Sequence, residues 1–203
     1  MAGCVCATFG LDRIGQSAAE ILAHGWDMDH LHSPELTENQ EQALIERSVS
    51  LLAKSTSQKI RGWLSPARNQ SWQTMALLPN SGIEYCLDWV NDDMPYPVKV
   101  GPKPLTMLPL NTEVEDSFVM GSNLHSEDEW VDQVTDAIDF LIREATESGA
   151  ARMLGISLHP WLTGQPHRIG CLERVVQHLQ AQEDKIWLST PGKIVDHFNR
   201  ASA

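Results

Sequence analysis

Four polar clusters hold most of the side chains that could do chemistry in this 203-residue chain. The first, "HGWDMDHLH" at residues 24–32, packs three histidines and two aspartates into nine positions. The second, "RGWLSPARNQSW" at 61–72, sets two tryptophans and two arginines around a proline. The third is "DWVNDDMPYP" at 88–97, and the fourth is "LHPWLTGQPHRI" at 158–169. Imidazoles and carboxylates move protons, and tryptophan and proline make the walls of a small pocket. Other chemistries lack their parts. "FGLDRIG" at 9–15 does not have the spacing of a dinucleotide-binding glycine loop, no GxSxG elbow is present, and no cysteine has charged neighbours to activate it. Water attack on a carbonyl, assisted by a histidine, a carboxylate and in some designs a metal, fits the inventory best.

Each cluster also has a plain structural reading. His24, His30 and His32 could be loop histidines, Asn91-Asp92-Asp93 could be turn chemistry before Pro95, and His159 could be a hydrogen-bonded strand end. Recurrence argues for function, because all four clusters fall where a strand is expected to run into a loop. In parallel α/β architectures, sites form beyond the carboxyl ends of strands.

The elements that would position them alternate. "VCATFGL" (5–11) reads as a buried strand, with a short helix through Ser17–Ala23 after it. Thr37 and Gln40 form a capping box for a helix striped by Leu44, Val49, Leu51 and Leu52. "IRGWLS" reads as a strand, and "QTMALL" as a helix shortened by Pro79. "EYCLDWV" and "LTMLPL" are further strands, while 91–104 reads as a long irregular loop. Ser126 and Glu129 form a second capping box, for a helix with Trp130, Val134, Ile138, Leu141 and Ala145 on one face and Gly149 as its stop. "RMLGISLH" reads as a strand, 168–182 as a helix, "KIWLST" as the last strand, and Pro191 opens a final helix. Alternating strands and helices predict an α/β fold with a mostly parallel sheet, open or closed into a barrel.

Composition narrows the partners. With 27 acidic and 15 basic residues the net charge is −12, which argues against nucleic acid and against an anionic membrane surface. No apolar run approaches the ~20 residues that span a bilayer, and "MAGCVCATFGLD" has no basic leader region, so a cytoplasmic location is expected. Cys4, Cys6, Cys86 and Cys171 have no zinc-ribbon spacing and read as reduced core thiols.

Taken in order, the four clusters and the closing "KIWLSTPGKIVDHF" resemble the polysaccharide deacetylase (NodB-homology) superfamily, and within it the allantoinase-like branch. The resemblance runs over about residues 24–198 and is most specific at "WVNDDMPYP" and "LHPWLTGQPHR". It implies a NodB-type deformed (β/α) barrel, residues 1–203 forming one domain. The implied activity is hydrolysis of carbon–nitrogen bonds other than peptide bonds, in an amide, N-acetyl group or cyclic imide. His159 matches the histidine that protonates the leaving nitrogen. His24 matches the first histidine of a metal-binding motif whose second ligand falls at Met28, a poor ligand for a hard cation. The cofactor is therefore either none or a divalent metal such as zinc, held by His24, His30 and His32.

Asp27, three residues after His24, is the candidate base, provided burial raises its pKa. Trp63, Arg68, Trp72, Asn91, Asp92, Asp93 and His167 are the candidate substrate contacts. The family's arginine motif reads Leu64-Ser65-Pro66 here, with Arg68 two residues beyond the proline. The family's opening T-F-D-D-G strand has no counterpart, so the barrel is expected to be incomplete at its N-terminal side. Such an opening leaves edges for another chain, which makes a homo-oligomer an expectation. The alternative function is an inactive remnant that binds a ligand or is completed by a partner.

Overall fold

The computed structural model describes residues 19–27, 29–101 and 103–201, which divide into two compact units. Unit 1 contains the described residues up to Leu108 together with those from Ser189 onward, and unit 2 is Pro109–Leu188. The expected strand at 5–11 and the cysteines Cys4 and Cys6 lie outside the described residues.

Unit 1 is built on helix α1 (Glu38–Thr56) and a four-stranded sheet. The Thr37 hydroxyl accepts from the Gln40 N–H and the Gln40 side chain returns to the Thr37 N–H, so both halves of the expected capping box form. The buried face of α1 is not the expected leucine stripe. It runs through Glu41, Ile45, Ser48 and Thr56, with Val49 and Leu52 beside it, while Leu51 is exposed. Buried polar side chains share this face, which an apolar-period search cannot detect.

Strands β1 (Gly62–Trp63) and β2 (Tyr85–Cys86) pair in parallel, and β2 pairs in parallel with β4 (Pro104–Met107). β3 (Tyr96–Lys99) closes the order β1-β2-β4-β3 as an antiparallel edge. β3 corrects the expectation of an irregular 91–104. Tyr96, Val98 and Val100 pack on the core while Pro97 and Lys99 stay exposed, the alternation of a half-buried strand. Proline is tolerated there because β3 lies at the sheet edge. The short helix expected through Ser17–Ala23 is also absent from its described part, residues 19–23. Ala23 instead bridges Trp63 in parallel.

The Gln73–Ser81 region behaves as Pro79 dictates. Helix α2 (Thr74–Leu77) gives way to a 3-10 turn, Leu78–Ser81, closed by Gly82 at φ 83°. Helix α5 (Pro191–Ala201) completes unit 1. The core gathers Ala23, Ile45, Trp63, Leu78, Leu105 and Met107, all fully buried, with Cys86 as a free thiol whose pKa burial raises well above the ordinary value.

Unit 2 consists of a π-helical turn (Ser117–Ser122) and helices α3 (Glu127–Ser148) and α4 (Ile169–Ala181). The Ser126/Glu129 capping box opens α3, and Gly149 ends it at φ 67°. Trp130, Val134 and Ile138 from α3 meet Cys171 and Val175 from α4, with the Trp130 indole N–H donating to the Val114 carbonyl at 3.0 Å. Burying an aromatic side chain of this size is worth ~3 kcal/mol.

Two expected strands are not formed. Residues 152–159 and 185–190 carry no sheet ladder, although Leu154, Ile156 and Ile186 pack on the helical core. Their apolar pattern is satisfied by the helices, while Leu158, Trp187 and Leu188 remain exposed. A strand needs a continuous ladder, and the bonds to the first segment are isolated: the Asp116 N–H donates to the Ser157 carbonyl at 3.4 Å and the Gly155 N–H to Asn111 Oδ1 at 3.4 Å.

Candidate functional site

His159 is held by a carboxylate from 43 residues earlier. Asp116 lies just before the π-helical turn and is fully buried. Its Oδ1 meets His159 Nδ1 at 2.6 Å, and its Oδ2 accepts from the His159 backbone N–H at 2.8 Å and from the Thr163 hydroxyl at 2.9 Å. The chain after His159 bends to make this possible: Leu162 and Thr163 N–H groups both donate to the His159 carbonyl, at 2.8 and 3.0 Å. Gly164 is required by that bend, because a Cβ there would lie 2.4 Å from the Pro160 carbonyl oxygen.

With Nδ1 against a carboxylate, the ring carries its proton on Nδ1 and turns Nε2 away. The His159 side chain is 33% exposed, so Nε2 is placed at the surface where a proton can be delivered or taken. The half-exposed Trp161 ring stands 5.5 Å from the imidazole at a 60° tilt. A histidine fixed by a buried carboxylate, with its other nitrogen free to face a reactant, is a proton-transfer arrangement.

In unit 1 the second cluster forms a clamped loop. The Ser65 N–H donates to Asp88 Oδ1 and the Gln70 amide donates to Asp88 Oδ2, both at 2.7 Å. One buried carboxylate thus ties both ends of the 65–70 segment. Between these ties Ala67 and Arg68 take φ of 50° and 54°, a left-handed conformation that costs non-glycine residues of order 1 kcal/mol each. Gln70 Oε1 accepts the Trp89 indole N–H at 3.0 Å.

The first cluster lies against the same loop. His24 Nδ1 donates to the Leu64 carbonyl at 2.7 Å, which leaves Nε2 as the basic nitrogen. Gly25 packs on Pro66 so closely that a Cβ, already disfavoured at φ 76°, would sit 2.2 Å from the proline Cγ. A groove of about 520 Å³ opens beside the loop, with Trp72, Trp89, Met75 and Pro34 among its lining residues.

Comparison with known proteins agrees with this architecture. The solved structure of a "probable Polysaccharide deacetylase" from Pseudomonas aeruginosa PAO1 superimposes with a TM-score of 0.82 at 28% identity, over 95% of this chain and 63% of that one. PuuE allantoinase gives a TM-score of 0.82 at 26% identity, with the same coverage. The chain is a relative of the polysaccharide deacetylases. A Schizosaccharomyces pombe protein named as a polysaccharide deacetylase is 32% identical over 122 residues, 55% of this chain and 38% of that protein. The chain thus spans less than two thirds of the length of these relatives. No family model matches it. The α/β fold shared with these deacetylases is present with an open sheet among the described residues. None of the described helices is long and apolar enough to cross a membrane.

Within this deacetylase fold, several candidates from the sequence acquire different surroundings. Trp63 is not a substrate wall: it is completely buried, with its indole N–H on the Ser65 hydroxyl at 2.8 Å. Trp72, by contrast, is 93% exposed. Asp27 lacks the raised pKa that a base of its kind needs. The hydrogen bond from His30, 2.6 Å away, lowers it below the ordinary value, and the Asp29 and His30 N–H groups bind the same oxygen.

The three histidines considered as metal ligands are engaged separately. His24 donates to a carbonyl, His30 pairs with Asp27, and His32 is buried against Glu41 at 2.8 Å. Among the described residues no three histidine, cysteine or carboxylate side chains converge as a ligand set, so a divalent ion does not fit this donor arrangement. Met28 lies outside the described residues. Asn91, Asp92 and Asp93 form an exposed turn in which Asp92 accepts the Met94 N–H at 3.1 Å. His167 is exposed on the turn before α4.

Asp116 carried no signal in the sequence. It stands in an acidic stretch, "NTEVEDSF", that resembles any solvated loop. Asp88, at a strand end, reads in the sequence as a surface acid; it is instead buried, and its role as a clamp appears only with the backbone of Ser65 beside it.

Proposed function

We propose that this chain hydrolyses a non-peptide carbon–nitrogen bond, in an N-acetyl group, an open amide or a cyclic ureide or imide. The Asp116–His159–Thr163 arrangement carries the reading. In such a reaction water adds to the carbonyl carbon, and the carbon–nitrogen bond of the tetrahedral species breaks as the nitrogen gains a proton. Amide nitrogen is a poor leaving group unless it is protonated, so a positioned acid is the part the reaction can least spare. His159 Nε2 is the proposed donor, oriented by Asp116 through Nδ1. His24, with its Nε2 left basic, is the proposed group on the water side in unit 1. Arg68, Trp72, Asn91, Asp92, Asp93 and His167 are the proposed substrate contacts, while Trp63 and Asp27 leave the set for the reasons above. Relatives named deacetylase and allantoinase support hydrolysis at this general level.

The test is turnover of a small panel: an N-acetylated glucosamine disaccharide, allantoin and a cyclic imide, followed by release of acetate or of the ring-opened acid. His159→Ala is expected to lower the rate on the accepted substrate by about 10²–10⁴-fold, the range for a positioned general acid. Equal turnover by wild type and His159→Ala, or none of the panel turned over by wild type, overturns the reading.

A further inference from the structure

A second buried carboxylate lies in unit 1, on α1. Glu41 is completely buried, and its two oxygens take three hydrogen bonds. His32 Nδ1 and the Thr74 hydroxyl both reach Oε1, and the Ser71 hydroxyl reaches Oε2. Ser71 and Thr74 flank Trp72, and they are also bonded to each other: the Ser71 N–H donates to Thr74 Oγ1 at 2.8 Å, and the Gln73 N–H donates to Ser71 Oγ at 2.9 Å. Both hydroxyls of this tight turn therefore point inward, toward one carboxylate. The side chain between them is nevertheless the most exposed large apolar group among the described residues. An indole left in water by a slack loop needs no such anchoring. This one is held out by design of the turn.

The groove it overlooks has little polar capacity left. Gln70 spends both ends of its amide on Asp88 and Trp89, and Ser71 is spent on Glu41. What the lining offers a ligand is ring face and aliphatic surface from Trp72, Trp89, Met75, Pro34 and Val100. Such a surface recognises the apolar face of a ring and leaves the ring's polar edge in water.

We propose that Glu41 is a specificity-determining positioning residue, which fixes the Ser71–Thr74 turn so that the Trp72 indole stands as a rigid wall for a substrate ring. Glu41 touches no substrate; it acts through Trp72. The proposal deepens the hydrolase reading, since it rests on Trp72 being a substrate contact. Its test separates the two.

Ser71→Ala and Thr74→Val each remove one tie to Glu41 without removing the buried charge, so both are expected to fold; Glu41→Gln is the third variant. Two ring probes are used, an N-acetylated glucosamine disaccharide and allantoin. Binding is read by titration calorimetry, which does not depend on any one tryptophan, and amide hydrogen exchange is read across residues 70–76. The variants are expected to weaken binding of the accepted probe by about three- to tenfold, the worth of one aromatic contact, and to raise KM with kcat within twofold. Exchange at 71–73 quickens while α1 stays protected. Trp72→Ala weakens binding by a similar factor, and Trp72→Ala with Thr74→Val is no worse than Trp72→Ala alone.

Additive losses, unchanged binding, or unchanged exchange at 71–73 overturn the assignment of Glu41. Failure of wild type to bind either probe overturns it as well. Binding that follows this pattern without turnover sustains the role of Glu41 and sinks only the hydrolase reading.

Discussion

Asp116 and Glu41 are built from the same parts and do different work. Each is a fully buried carboxylate that takes three hydrogen bonds, one from a histidine Nδ1 and at least one from a side-chain hydroxyl. The difference lies on the far side of the imidazole. His159 is one-third exposed, so its Nε2 can meet a reactant. His32 is sealed, and its Nε2 is buried with no hydrogen-bond partner. The edge-on Trp63 ring, 5.3 Å away, closes that side. One histidine–carboxylate pair is open and suited to proton transfer; the other is closed and serves as a strut. Composition cannot separate them, but solvent access does.

The comparison can be broken at either end. The largest effect expected is on rate at the open pair: Asp116→Ala should lower turnover of the accepted substrate by about 10²–10⁴-fold, because His159 loses its orientation. Steady-state kinetics on a variant of native far-ultraviolet circular dichroism checks this. At the closed pair the large effect is on stability. Glu41→Ala leaves His32, Ser71 and Thr74 without their shared acceptor and should cost about 3–5 kcal/mol by urea unfolding. If Glu41→Ala proves mainly a rate variant, the distinction between an open and a closed pair fails.

A pH dependence follows from the closed pair. Burial pushes the Glu41 carboxyl up, but the bonds from His32, Ser71 and Thr74 outweigh it and hold it below its ordinary value of 4.5. A carboxylate depressed in the folded state contributes stability that is present above its unfolded value. That contribution is lost as pH falls through the folded value. The chain should therefore lose stability as pH falls below about 4.5, and Glu41→Gln should make that slope shallower. Thermal melting from pH 3 to 7 measures both.

The smallest effect belongs to a surface counterpart. Arg61 pairs with Asp196 at 2.5 Å and with Glu84 at 2.8 Å, and all three side chains are partly exposed. Solvent and salt screen such pairs, so Arg61→Ala should cost no more than ~1 kcal/mol.

The contrast also explains what could be read from the chain in advance. Helix ends were legible because their signals are local: Thr37 with Gln40, Ser126 with Glu129, and Gly149 all do what their spacing implies. His159 was legible as a polar residue at the end of an apolar segment, and the family resemblance gave it a role. Asp116 was not, since its partner is 43 residues away and no period links them. Glu41 was hidden for a related reason. A glutamate in the first turn of a helix is read as solvated and favourable to the dipole, and only tertiary packing reveals it as core. Trp63 and Trp72 stood in one motif and looked alike. The two-residue strand β1 buries the first, while the Ser71–Thr74 turn holds the second in water.

The central claim is that Asp116 and His159 act as one proton-transferring unit, and a double-mutant cycle on kcat/KM tests it most directly. Asp116→Asn, His159→Ala and the double variant are compared with wild type on the accepted substrate. Residues that act as a unit are strongly non-additive, so the double variant should lose no more than His159→Ala alone. Losses that multiply, or a His159→Ala variant as fast as wild type, would contradict the account.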